Sequence, residues 1–251
     1  MLLTVGDSFT AKRWDDDRPW PEILSFNMGM PVLNLAREGM SNEFIFRNFV
    51  YGISLNPDIT HVVIGLSNWD RLELGAKSKY TEWNSLTKTM KKSSKHSEKL
   101  LDMYNAYFNS KYYIDCTIGW MRAIIDLCEN KGIKLIITQL VKPLWLFDKE
   151  AEKSEQQEIK NYLENHELLK TIDKKYIHGF SLDPKDLSVK FDMNTIWWKF
   201  TSKYAKEIGR SEYYMGFHPN MGSRYNNLFD LHPSFKGHNM IAEEMYDGFN
   251  K

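Results

Sequence analysis

Four short apolar runs, separated by helical patterns and turn residues, constrain the fold more than any other feature of this chain. They are Leu2 to Val5, Val32 to Leu35, Thr60 to Ser67 ("THVVIGLS") and Ile133 to Leu140 ("IKLIITQL"). Continuous apolar runs of this kind suit strands buried on both faces, and their alternation with helices predicts a parallel α/β sheet. After Ser41, a suitable N-cap, Ile45, Phe49 and Ile53 recur at every fourth position and Pro57 closes the segment, the pattern of a crossover helix. A second stripe at helical spacing, Ile114, Ile118, Met121, Ile125 and Cys128, predicts a helix capped by Gly132, with Cys128 in the core. "SFKGHNMIAEEMYDGF", with Ile241 and Met245 four apart, predicts a closing helix that tolerates Gly237 near its start.

Two stretches break the rhythm. Residues 70–110 contain "KTMKKSSKHSEK", and residues 141–225 alternate between polar and aromatic. Both read as insertions on the loop ends of one domain spanning 1–251, and insertions of that size usually shape a site or an interface. The chain shows neither an internal repeat nor an inter-domain linker.

Charge excludes several function classes. Lysine plus arginine and aspartate plus glutamate number 33 each, so no global field favours nucleic acid or an anionic membrane. The run Lys88, Lys91, Lys92, Lys95 and Lys99 lacks interleaved aromatics, and a solvated face is the commoner use of such a run. No apolar stretch reaches the length of a spanning helix, and "MLLTVGDSFTAKRW" lacks a basic region followed by a long apolar one. Cys116 and Cys128 fall twelve residues apart on one helix, about 18 Å along its axis, which no disulfide bridges. These features together predict a cytoplasmic protein, with association with a virus particle as an alternative.

The residues able to do chemistry are few. G-x-S-x-G, G-x-G-x-x-G, Walker, H-E-x-x-H and C-x-x-C signatures are all absent, which narrows the field to serine, histidine and carboxylate. Ser8 in "VGDSFT" directly follows a strand, where an α/β sheet presents its carboxyl ends to ligands, and Gly6 permits a sharp turn there. Far along the chain, "DLHPS" sets Asp230, His232 and Pro233 just ahead of the closing helix. A histidine on such a loop can reach a serine at a neighbouring strand end, with the carboxylate orienting its ring.

These blocks resemble those of the SGNH, or GDSL-type, hydrolase superfamily. "VGDSFT" looks like the first block, "NLAREGMSN" (34–42) like the second, "VVIGLSNWDR" (62–71) like the third and "DLHPSFKGH" like the fifth. The resemblance implies a three-layer α/β/α sandwich with a mostly parallel, flavodoxin-like sheet. It also implies a serine esterase that needs no metal or organic cofactor, with Ser8 as nucleophile, His232 as base, Asp230 as its orienter, and an oxyanion hole from Ser8, Gly39 and a third donor. The third block departs from the family's Gly-x-Asn-Asp: strict alignment gives Ser67 as that donor, whereas Asn68, one residue later, offers a better-directed amide N–H. The fifth departs as well, since Asp230 stands two residues before His232 where many members place the aspartate three before.

Several further residues invite a substrate role beside a structural one. Trp69, Trp145, Trp197 and Trp198 can stack on sugar faces or pack in the core, and Arg71 with Glu73 can meet a hydroxyl-rich substrate or form a surface pair. His218, in "GFHPN", has no carboxylate before it, which makes it a groove residue or an exposed loop histidine rather than the base. His238 falls on the closing helix as a structural or solvated residue. The expected substrate is a small-molecule or glycan ester, above all an O-acetylated carbohydrate, with no nucleic acid or membrane partner. A weakly active carbohydrate-binding or virion structural protein and an O-acyltransferase stand as alternatives.

Overall fold

The computed structural model describes residues 1–11, 18–67, 71–74, 84–86, 99, 102–103, 106, 108–140, 157–159, 161–178 and 235–251. Its centre is a parallel five-stranded sheet built from β1 (Leu2–Val5), β2 (Val32–Asn34), β3 (His61–Leu66), β6 (Lys134–Gln139) and β7 (Ile177–His178). A separate antiparallel pair, β4 (Leu72–Leu74) and β5 (Asn84–Leu86), lies within the 70–110 stretch. Helices among the described residues include α1 (Trp20–Met28), α2 (Asn42–Leu55), α3 (Ser110–Lys131), the short α4 (Glu167–Lys170) and α5 (Phe235–Asn250).

The four sequence runs thus become strands within a residue or so of their expected ends, and for β1, β3 and β6 the reason is burial, whereas β2 is half-buried at the sheet's edge. Every β1 residue is buried, as are five of the six in β3 and five of the six in β6. Side chains alternate across the sheet, so each strand feeds two cores. Leu3, Val5, Val62, Ile64, Leu135 and Ile137 pack with Ile45, Phe49, Ile118 and Met121 of α2 and α3. On the opposite face, Leu2, Val63 and Ile136 pack with Trp20 and Leu24 of α1 and with Ile241 and Met245 of α5. Each such side chain, fully buried, contributes roughly 1.5–3 kcal/mol. The result is the three-layer α/β/α arrangement.

Helix ends follow local chemistry. Ser41 caps α2, its hydroxyl accepting from the Phe44 N–H at 3.3 Å, and Asn109 caps α3 by accepting from the Tyr112 N–H at 3.1 Å. Gly132 closes α3 in the left-handed region at φ 66°, where a side chain would be strained. Cys128 lies in the core as its place in the stripe requires. Both cysteines are free thiols, and burial pushes that of Cys128 up to about 12.

Several elements escape the sequence patterns, α1 and β7 among them. Helix α1 begins with Pro21 inside its first turn and runs only nine residues, too few to display a long stripe, although Trp20 and Leu24 are fully buried. Within the 141–225 stretch, Ile159, Leu163, Leu169 and Ile172 join the core and β7 adds the sheet's edge. A two-residue strand has no periodicity to read.

The topology selects one place for a site. The order β2-β1-β3-β6-β7 is, in the order the strands enter the sheet, 2-1-3-4-5. In open sheets of this order, the chain reverses its direction of winding between the first and third strands, and the crevice at their carboxyl ends is where ligands bind. Here that crevice lies between the loops that follow Val5 and Leu66.

Candidate active site

The loop after β1 is shaped by glycine before it is shaped by chemistry. A methyl group on Gly6 would lie 2.3 Å from Thr10 Oγ1 and 3.1 Å from the Gly65 carbonyl, and one on Gly65 would lie 2.7 Å from Thr10 Oγ1. Thr10 therefore fills space that both glycines leave open. The chain turns tightly over residues 7–10, with the N–H groups of Thr10 and Ala11 donating to the Asp7 carbonyl at 3.0 and 2.9 Å. Ser8 sits in this turn, buried to 7% exposure, at the crevice that the strand order selects.

Asp7, immediately before it, is the hub. Its side chain is 2% exposed, and a carboxylate so buried requires compensating partners. Oδ1 accepts from the Phe9 N–H at 3.0 Å, which stiffens the turn. Oδ2 accepts from the Ser67 hydroxyl at 3.1 Å and from Arg71 Nη1 at 3.2 Å. The same guanidinium nitrogen donates to the Met40 carbonyl at 3.4 Å. Met40 follows Gly39, whose φ of 72° explains a glycine in the turn ahead of α2.

The second and third blocks are joined as well. Asn42, in the first turn of α2, accepts from the Ser67 N–H at 2.8 Å and donates through Nδ2 to the Ser67 carbonyl at 3.0 Å. Asn34, at the end of β2, donates to the Thr10 carbonyl at 3.0 Å, and the Arg37 N–H donates to the Gly6 carbonyl at 3.2 Å. The loops carrying Ser8, Gly39 and Ser67 therefore form one hydrogen-bonded assembly. In it the single proton of the Ser67 hydroxyl is directed at Asp7.

The closing helix is tied to the same assembly through Trp20. The indole Nε1–H donates to the Phe9 carbonyl at 3.1 Å, and the Trp20 backbone N–H donates to His238 Nδ1 at 3.3 Å. Acceptance at Nδ1 places the imidazole proton on Nε2. His238, a structural or solvated residue by sequence, is buried and fastens the first turns of α5 to α1.

Among the residues named from sequence, the structure brings Ser8, Gly39, Ser67 and Arg71 into one region. Asn68, Trp69, His218, Asp230 and His232 lie outside the described residues, as do Trp145, Trp197 and Trp198. Asp7 and Asn42 are the residues whose part sequence reasoning did not assign. Both stand inside the quoted blocks, at "GDS" and "MSN", and a carboxylate or amide beside a glycine turn was the available signal. Among the described residues no group of three or more His, Cys, Asp and Glu is placed to hold a metal ion, and no helix is long and apolar enough to cross a membrane.

No family model matches the chain, and no curated protein matches it. Solved structures do. The psychrotrophic esterase EstA of Pseudoalteromonas sp. is similar at 12% identity, covering 99% of this chain and 96% of its own, with a TM-score of 0.46. An acetyl xylan esterase, AlAXEase, is similar at 10% identity, with 98% of each chain covered and a TM-score of 0.46. A G-D-S-L family lipolytic protein of Veillonella parvula is similar at 14% identity, with 100% and 98% covered and a TM-score of 0.44. The family whose blocks the sequence resembles is also named among the solved structures to which this chain is similar.

Proposed function

We propose that the protein is a serine esterase that hydrolyses acyl esters, most readily O-acetyl groups on a carbohydrate. The observation that carries this reading is the position of Ser8: a serine in a glycine-shaped turn at the carboxyl end of β1, beside the switch point, with its loop hydrogen-bonded to the loops of the second and third blocks. A nucleophile needs such fixed surroundings, because a displacement of about 1 Å can cost on the order of 100-fold in rate.

In this mechanism Ser8 Oγ bonds to the ester carbonyl carbon while His232 takes the hydroxyl proton. The oxyanion receives N–H donors from Ser8, Gly39 and Asn68. Asn68 is preferred over Ser67 because the Ser67 proton is directed at Asp7. Collapse expels the alcohol, which leaves with the proton from His232. Water, deprotonated by His232, then attacks the acyl-enzyme and releases the carboxylic acid and free Ser8. Asp230 orients the imidazole.

The carbohydrate preference rests on the abundant aromatics, eight Trp and thirteen Tyr, and on the absence of net charge. The test is release of acetate from acetylated oligosaccharides. The wild-type protein should release it and Ser8→Ala should not; equal release by both would refute the assignment of Ser8.

A further inference from the structure

We infer that Arg71 is a positioning residue, which fixes the distance between the serine nucleophile and the Gly39 oxyanion donor rather than binding substrate. This rests on the esterase reading above. One nitrogen, Nη1, carries two N–H groups, and the structure gives it two acceptors: Asp7 Oδ2 at 3.2 Å and the Met40 carbonyl at 3.4 Å. Asp7 is the residue before Ser8, and Met40 is the residue after Gly39. A single guanidinium group therefore spans the two loops whose spacing the oxyanion hole depends on.

The span is part of a closed ring. Asp7 Oδ2 also accepts from Ser67 Oγ, and the Ser67 main chain is paired on both sides with Asn42, two residues beyond Met40. Starting at Arg71, the ring runs through Asp7, Ser67, Asn42 and the start of α2 to Met40, and back to Arg71. Apart from the backbone between residues 40 and 42, every link joins groups more than twenty residues apart in sequence. Asp7 is 2% exposed and the Arg71 side chain 18%, so water competes poorly for these bonds. Catalytic geometry tolerates errors of only about 0.5 Å, and a charged pair held from both sides supplies that precision.

Arg71→Met and Arg71→Lys test this with three readouts: kcat and KM on a small acetyl ester, the rate of Ser8 labelling by a fluorophosphonate, and the thermal midpoint. Methionine keeps the stem and removes both bonds. The expected result is a fall of about 10- to 100-fold in kcat and in the labelling rate, with KM within about twofold of wild type. Lysine keeps the charge but not the planar fork, and should recover part of the loss. If Arg71→Met does not fold, Arg71→Lys alone carries the test, its lower kcat at unchanged KM being the supporting result. A raised KM at unchanged kcat would make Arg71 a substrate contact and overturn the inference, as would wild-type values in both variants. Wild-type protein that resists labelling would overturn the esterase reading itself, whereas a labelled wild type beside equally fast variants would overturn only the role of Arg71.

Discussion

Two polar clusters in this molecule use similar groups to different ends. At the crevice, Asp7 gathers Ser67, Arg71 and the Phe9 N–H in a setting almost closed to water. At the outer edge of α3, Asp115 accepts from the Tyr162 hydroxyl at 2.5 Å and from His166 Nε2–H at 2.9 Å, while Lys111 meets Glu158. Asp115 is 47% exposed. Solvent reaches the Asp115 carboxylate directly, so these bonds dock Glu158, Tyr162 and His166 against α3 without dictating a unique geometry. Around Asp7 a lost partner leaves a buried charge, and the arrangement is fixed because each alternative costs more. A polar cluster open to solvent is therefore weak evidence of a site, and a buried one at a strand end is stronger evidence.

The contrast can be broken most forcefully at Asp7. Asp7→Ala strands Ser67 Oγ and Arg71 and should lower stability by about 2–4 kcal/mol, measured by urea unfolding, together with loss of esterase activity. A smaller effect comes from packing beneath the same turn. Gly65→Ala forces a methyl group against Thr10 Oγ1 and should cost about 1–3 kcal/mol. Thr10→Ala in the same chain should return most of that, because the Thr10 hydroxyl has no hydrogen-bond partner to lose among the described residues. The outer cluster gives the smallest response: Lys111→Ala should change stability by about 0.5 kcal/mol or less, and less still in added salt. A Lys111→Ala loss comparable to that of Asp7→Ala would erase the distinction between the clusters.

Much of the sheet was legible because β1, β3 and β6 are buried on both faces and so read as unbroken apolar runs. Leu2–Val5 and His61–Leu66 needed no tertiary information. Helices α2 and α3 were legible for the same reason, through stripes that ended at recognisable caps. Helix α1 and strand β7 were not, since nine and two residues give too little repetition, and their burial depends on partners distant in sequence. At the site, Ser8 and Gly39 could be singled out from their blocks. The link from Asp7 to Arg71 spans 64 residues and depends on two loops meeting at adjacent strand ends, which no local pattern encodes. Ser67 shows the same limit: alignment offered it as an oxyanion donor, and only the fold reveals that its proton faces Asp7.

The central claim is that Ser8 is a nucleophile, and peptide mapping of the fluorophosphonate-treated protein by mass spectrometry tests it most directly. The account predicts one adduct, on the peptide bearing Ser8, formed by displacement of fluoride and lost in both Ser8→Ala and His232→Ala. An unmodified protein, or an adduct on another residue such as Ser67, would contradict it.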